Sequence, residues 1–285
     1  MKEKNRGVLL ILSSSLFFAI MAAAVKSIPG IPLAEKVFFR NFIGLVAVGI
    51  PMLRNRVSFK PNNPKLVFLR SAFGLSGVAL YYTSLEQLNL SDAVIINKLS
   101  PFFVIMLSML FLREKIKKHQ FAAIGLALIG ATLVVKPGFN FEIGPALIGL
   151  TGAFFAGAAY TTIRKLSAFD SAKLIVFYFC LFSTLVTIPI MMAGQFVVPT
   201  GRELISLVII GLSALTAQLL MTNAYRHAPA SQLSIYTYAN VVFSTVLGFV
   251  LWAEWPDTLT LVGALLIIAG SGINFYYNQK RHVLN

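Results

Sequence analysis

Apolar residues fill ten stretches of the chain, and polar residues are largely confined to the short gaps between them. The stretches run over 7–25, 33–53, 66–85, 92–112, 120–136, 143–163, 172–193, 203–224, 230–252 and 258–277. Each is close to the ~20 residues that cross ~30 Å of hydrocarbon. Backbone groups in lipid must be satisfied internally, so apolar runs of this length predict helices. Turn-forming residues stand in the gaps: Ile28-Pro29-Gly30, Pro61-Asn62-Asn63-Pro64, Lys136-Pro137-Gly138 and Pro199-Thr200-Gly201. No gap is long enough for a soluble domain. The expected fold is an all-α integral membrane protein with ten transmembrane helices, its function housed in the bundle.

Composition narrows the reading further. Of 285 residues, 57% are hydrophobic and 12% charged, about half the charged share of a soluble domain. The net charge of +14 is not that of a nucleic-acid binder, whose Lys and Arg gather on one solvated face. Here they flank the apolar stretches and act as topology signals. With the N-terminus taken as cytoplasmic, eighteen Lys and Arg fall on the inner side, Arg70 among them. Four fall on the outer side: Lys26, Lys36, Lys136 and Arg202. That bias predicts both termini in the cytoplasm of a cell-membrane protein. Lys2, Lys4 and Arg6 before an apolar run that ends near Ala22-Ala23-Ala24 resemble a secretory leader, but an uncleaved first helix is expected, because its loss would spoil the repeat described next. The single cysteine, Cys180, excludes an internal disulfide and a Cys-based zinc site, and no cofactor is expected.

A shift of about 140 residues superposes the two halves. Leu90-Ser91-Asp92-Ala93 then lies over Ala230-Ser231-Gln232-Leu233, Glu114 over Glu254, and Gly130 over Gly270. A slightly smaller shift brings Phe17-Phe18-Ala19 over Phe154-Phe155-Ala156 and Ile50-Pro51 over Ile188-Pro189. The expected repeats are residues 1–140 and 141–285. Five spans per repeat is an odd number, so the second half enters the membrane inverted, an architecture that places substrate near the midplane between halves.

Several motifs carry a family likeness: Phe38-Phe39-Arg40-Asn41, Asn97-Lys98-Leu99-Ser100-Pro101-Phe102-Phe103 and Leu112-Arg113-Glu114-Lys115 in the first half. The second half has Ala217-Gln218-Leu219-Leu220, Ala224-Tyr225-Arg226, Ala228-Pro229-Ala230-Ser231 and Trp252-Ala253-Glu254. With these motifs the chain resembles the drug/metabolite transporter superfamily, EamA type, over essentially its whole length. The resemblance implies a ten-helix secondary transporter with a central cavity formed by helices one to four and six to nine, and with helices five and ten as peripheral supports. One departure is Val241, which stands where the first half has Pro101, so a kink is predicted in the fourth span and left open in the ninth.

Small residues at helical spacing, Ser15/Ala19/Ala23 and Gly149/Ala153/Gly157, predict close helix contacts, either static or sliding. The charges inside spans are more telling. Arg40 and Lys98 each lie roughly 10 Å below the outer edge. There a charge costs ~2.5–3.5 kcal/mol or more and commonly marks a water-filled path or a ligand. The alternatives are snorkelling to the interface or pairing with Glu35, Glu86 or Asp92. Asn97, Lys98 and Ser100 have Thr237, Tyr238 and Asn240 as repeat mates. The candidate solute contacts are Arg40, Tyr82, Asn97, Lys98, Tyr160, Gln218, Tyr236, Tyr238 and Asn240; a tyrosine can equally be an interface anchor. Aromatic walls with a few hydrogen-bonding groups fit a small organic solute, and cations without an equally deep acid fit one bearing a carboxylate.

His119, His227 and His282 lie in cytoplasmic segments and no acid is mid-membrane, so proton coupling is not evident. No HExxH, GxSxG or P-loop is present, which argues against an intramembrane enzyme, and no filter-like segment points to a channel. The partners expected are a small-molecule solute and the lipid bilayer, not nucleic acid; monomer and homodimer are both open. Export of amphiphilic or cationic toxic compounds, and exchange of S-adenosylmethionine-like metabolites, are the alternatives that the resemblance keeps open.

Overall fold

The computed structural model describes residues 2–112, 118–135, 143–166, 169–227 and 234–282, and among them every regular element is helical. The Arg113-Glu114-Lys115 motif, Lys136-Pro137-Gly138 and Ala228-Pro229-Ala230-Ser231 lie outside the described residues, and with them the Glu114 counterpart of Glu254. The helices are α1 Lys2–Lys26, α2 Leu33–Arg54, α3 Pro64–Gln87, α4 Leu90–Asn97, α5 Ser100–Leu112 and α6 Lys118–Val135. They continue with α7 Ile143–Leu166, α8 Ala172–Ile190, α9 Gly201–His227, α10 Ala239–Trp252 and α11 Thr258–His282. Among the described residues seven stretches are long and apolar enough to cross a membrane, with α4 and α5 counting as one, and shorter apolar helices fall at Gln120–Val134, Tyr236–Trp252 and Thr258–Ile273.

Local chemistry sets several helix starts. Asn63 accepts the Leu66 N–H at 3.1 Å, with Pro64 in the first turn where its missing N–H costs nothing. Ser171 caps α8 through the Leu174 N–H, and Asp257 caps α11 through the Thr260 N–H at 2.8 Å. α8 holds Pro189 in its last turn and runs on as a π-helical turn over Met191–Gln195.

α1 packs along α9, α3 along α7, α2 along α8 and α6 along α11, while α4 meets α10. Moving each helix about 140 places along the chain exchanges α1 with α7 and α3 with α9, and exchanges α2 and α6 with the partners they already touch. The α1–α9 and α3–α7 contacts therefore map onto each other, and α2–α8 and α6–α11 map onto themselves; α10 is the counterpart of α5, not of the α4 it touches. The α6–α11 crossing is tight: a Cβ at Gly130 would lie 2.6 Å from the Gly263 carbonyl, and one at Gly270 would lie 2.8 Å from the Ala123 carbonyl. The stripes of small residues are contacts too. Ser15, Ala19, Ala23 and Ala153 are buried, and Gly149 and Gly157 abut Ile96 and Phe103.

The fourth apolar stretch is two helices rather than one, interrupted at Lys98-Leu99. Pro101 has no N–H to return to the Asn97 carbonyl, and the turn tightens, with the Leu99 N–H donating to Ile96 at 3.0 Å. In the ninth stretch the described residues begin with a 3₁₀ turn, Ser234–Tyr238, ahead of α10. The α-helix therefore starts just after Tyr238, the counterpart of Lys98, with Val241 where the first half has proline.

Candidate functional site

Between α2, α3 and α8 the bundle holds two arginines. Arg40 comes from α2 and Arg70 from α3, and both guanidiniums lie against the Phe179 ring of α8, with Cζ at 6.0 Å and 4.0 Å from its centroid. Arg40 also faces the Tyr82 ring at 5.9 Å. Such contacts contribute about 1–2 kcal/mol in desolvated surroundings, well short of a counter-ion. In both arginines Nε and Nη1 are buried without a hydrogen-bond partner, as is the Tyr82 hydroxyl. The acids expected near Arg40 are engaged elsewhere: Glu86 pairs with the fully buried Lys36 at 2.5 Å, and Glu35 accepts the Val197 N–H at 2.7 Å. Neither snorkelling nor those pairings account for Arg40.

The cluster extends toward the α4–α5 break. The Tyr81 hydroxyl interacts with the Asn97 side chain and lies within electrostatic reach of Arg40. Beyond Asn97, Lys98 lies with Ile95, Tyr238, Val241, Ala264, Ile267 and Ile268 around a narrow cleft with no room for a water molecule. The Tyr238 hydroxyl is hydrogen-bonded to Ser271. Lys98 and Tyr238 thus line one crevice, with Ala264, Ile267 and Ile268 of α11 beside them.

Two segments, residues 5–136 and 144–276, each match the EamA-like transporter family. The chain belongs to that family. It is 37% identical over 266 residues to the pseudopaline exporter CntI of Pseudomonas aeruginosa strain UCBPP-PA14, covering 92% of this chain and 93% of that protein. It is 24% identical over 249 residues to the S-adenosylmethionine uptake transporter of Rickettsia felis, covering 86% and 84%. A solved crystal structure superposes with a TM-score of 0.69 at 18% sequence identity, over 95% of this chain and 97% of that one, which shows a shared fold. This EamA-like protein is a multi-pass membrane transporter of the drug/metabolite superfamily, not an enzyme.

Within this transporter the candidate contacts divide. Arg40, Tyr82 and Asn97 gather around the arginine cluster. Tyr160 of α7 is within electrostatic reach of Arg70, although 51% of its surface is exposed, so it stands at the margin. Lys98 and Tyr238 share the cleft. The others lie apart. Tyr236 packs with Ile11, Met221 and Ala224 between α1 and α9, and Gln218 is half-buried on α9. Asn240 donates to the Ser15 carbonyl at 3.0 Å, tying α10 to α1.

The sequence reading missed Arg70. Position alone puts it with the cytoplasmic topology charges, five residues into a stretch that begins at 66. The helix starts two residues earlier, and the Arg70 side chain runs along it to Gly74. A Cβ at Gly74 would stand 2.5 Å from Arg70 Nη1 and 2.9 Å from the Phe179 ring. The signal was an arginine followed four residues later by a glycine, which leaves the guanidinium room inside the bundle. Lys36, counted as an outer topology charge, is likewise an interior residue held by Glu86.

Proposed function

We propose that this EamA-like transporter exports a small carboxylate-bearing solute across the cell membrane by alternating access. The working unit is two inverted five-helix repeats, residues 1–140 and 141–285, making ten spans with both termini cytoplasmic. The observation that carries the reading is a set of interior cations, Arg40 and Lys98, which no ion pair or hydrogen bond among the described residues neutralises. Leaving a charge unpaired in the hydrocarbon region is costly, and an anionic solute compensates it on binding. The self-mapping helix contacts support the repeats, and the bias of Lys and Arg supports the orientation. Export is taken from the relative that shares 37% of its residues; the relative at 24% runs inward.

In that orientation Lys26, Lys36, Glu86 and Glu254 lie at the outer end, where their ion pairs hold the passage shut. Solute contacts are Arg40, Tyr82, Asn97, Lys98 and Tyr238, with Tyr160 at the margin. Purified protein should be stabilised by carboxylates, by about 2.7 kcal/mol at ~100 times Kd. Inverted vesicles should accumulate labelled carboxylate, and Lys98→Ala should weaken both effects. Stabilisation by cations or neutral solutes alone, unchanged in Lys98→Ala, overturns the reading.

A further inference from the structure

Arg70 has no place in the function as so far argued, yet it is more deeply enclosed than Arg40, with 8% of its surface exposed. Among the described residues the titratable groups within electrostatic reach of it are Cys180, Tyr160 and Arg40, none an anion at neutral pH. A guanidinium carries five N–H donors in a planar fork and stays charged in proteins. Two of them against one phenylalanine ring, with buried and unpartnered Nε and Nη1 on each, repel one another across a poorly screened interior. One monoanion would leave half of that charge uncompensated.

From this juxtaposition we infer that Arg40 and Arg70 form a two-cation seat for a solute bearing two carboxylates. This rests on the carboxylate reading above and narrows it. Each fork takes one carboxylate through paired N–H bonds, the Tyr82 hydroxyl is available to the same ligand, and the loaded seat is electrically neutral. Gly74 is part of the design, because only a residue without a Cβ lets the Arg70 guanidinium lie where it does. Lys98 stands outside the seat, in the neighbouring cleft.

The test uses the full-length protein in detergent, with succinate, glutarate and adipate, the mono-amide of each, and glycerol 3-phosphate as probes, and dissociation constants from calorimetry. At least one dicarboxylate should bind about tenfold or more tightly than its mono-amide. That ratio should fall to near one in Arg70→Gln and in Gly74→Ala, the second of which keeps the charge but displaces it. Gel filtration and thermal unfolding establish that the variants are folded; if Arg70→Gln is not, Gly74→Ala and Arg70→Met decide. Equal affinity for dicarboxylates and mono-amides in the wild type overturns the seat and leaves the carboxylate reading standing. A dicarboxylate preference that survives in folded Arg70→Gln or in Gly74→Ala also overturns it. Tighter binding of glycerol 3-phosphate than of every dicarboxylate overturns the dicarboxylate assignment. Failure of every anion to bind wild type overturns both readings.

Discussion

Lys26, the last residue of α1, is ion-paired with Glu254, two residues beyond α10. The same Lys26 donates to the Leu88 carbonyl at 2.5 Å and lies 5.5 Å from the Trp252 ring centroid, while Glu254 Oε2 accepts the Leu90 N–H at 2.8 Å. Ala253, in the left-handed region at φ 55°, turns the chain so that Glu254 reaches back across the end of the bundle. One carboxylate thereby joins α1, α4 and the segment after α10.

Glu254→Gln keeps the shape and removes the charge that holds Lys26. It should lower stability by about 1–3 kcal/mol, less than for a fully buried pair. It should also open that end. Cys180, the only cysteine in the chain and 5% exposed, should then react with N-ethylmaleimide several-fold faster than in wild type. An unchanged alkylation rate would show that the ion pair does not gate access.

Lys36 and Glu86 predict an asymmetry. The Lys36 side chain is wholly buried, whereas 23% of the Glu86 side chain is exposed. Glu86→Gln strands a buried ammonium and should cost about 3–5 kcal/mol. Lys36→Met leaves a carboxylate that water can reach and should cost clearly less. Thermal unfolding of the two variants in one detergent compares them; equal losses would contradict the argument.

The α6–α11 crossing predicts opposite outcomes for two glycines on one helix. Gly130→Ala drives a methyl into backbone that cannot give way and should cost about 1–3 kcal/mol. Gly125→Ala meets nothing within 4 Å and should be neutral or stabilising by up to about 1 kcal/mol through helix propensity. Unfolding measurements on both variants check it.

Asn240 separates a tie from a solute contact. Its bond to the Ser15 carbonyl, beside the 2.7 Å bond from Ser14 to the Ala217 carbonyl, stitches α1 to α10 and α9. Asn240→Ala should cost about 1–2 kcal/mol of stability while the Kd for a carboxylate changes by less than twofold. A tenfold loss of affinity with unchanged stability would make it a ligand residue.

The hydrophobic pattern made most helices legible, because lipid allows few alternatives once an apolar run reaches the length of a bilayer. Arg40 and Lys98 stood out for the same reason: a charge that far inside a span is conspicuous in any apolar run. Arg70 did not, because its significance depends on two residues of helix start and on a side chain that folds inward over Gly74. The tie made by Asn240 was equally hidden, since an amide that serves a neighbouring backbone reads in sequence like one that serves a solute. Pro101 announced the break in the first half. The 3₁₀ turn before α10 had no proline at position 241 to announce it.

The helix α4 is only eight residues long, roughly 12 Å. Its first N–H is held by Glu254, and its last residue adjoins Lys98. A rod so short does not bend. On the function proposed above it is a strut: release of the carboxylate at one end would free the ammonium at the other to tilt independently of α5, so that lock and load would be two ends of one lever.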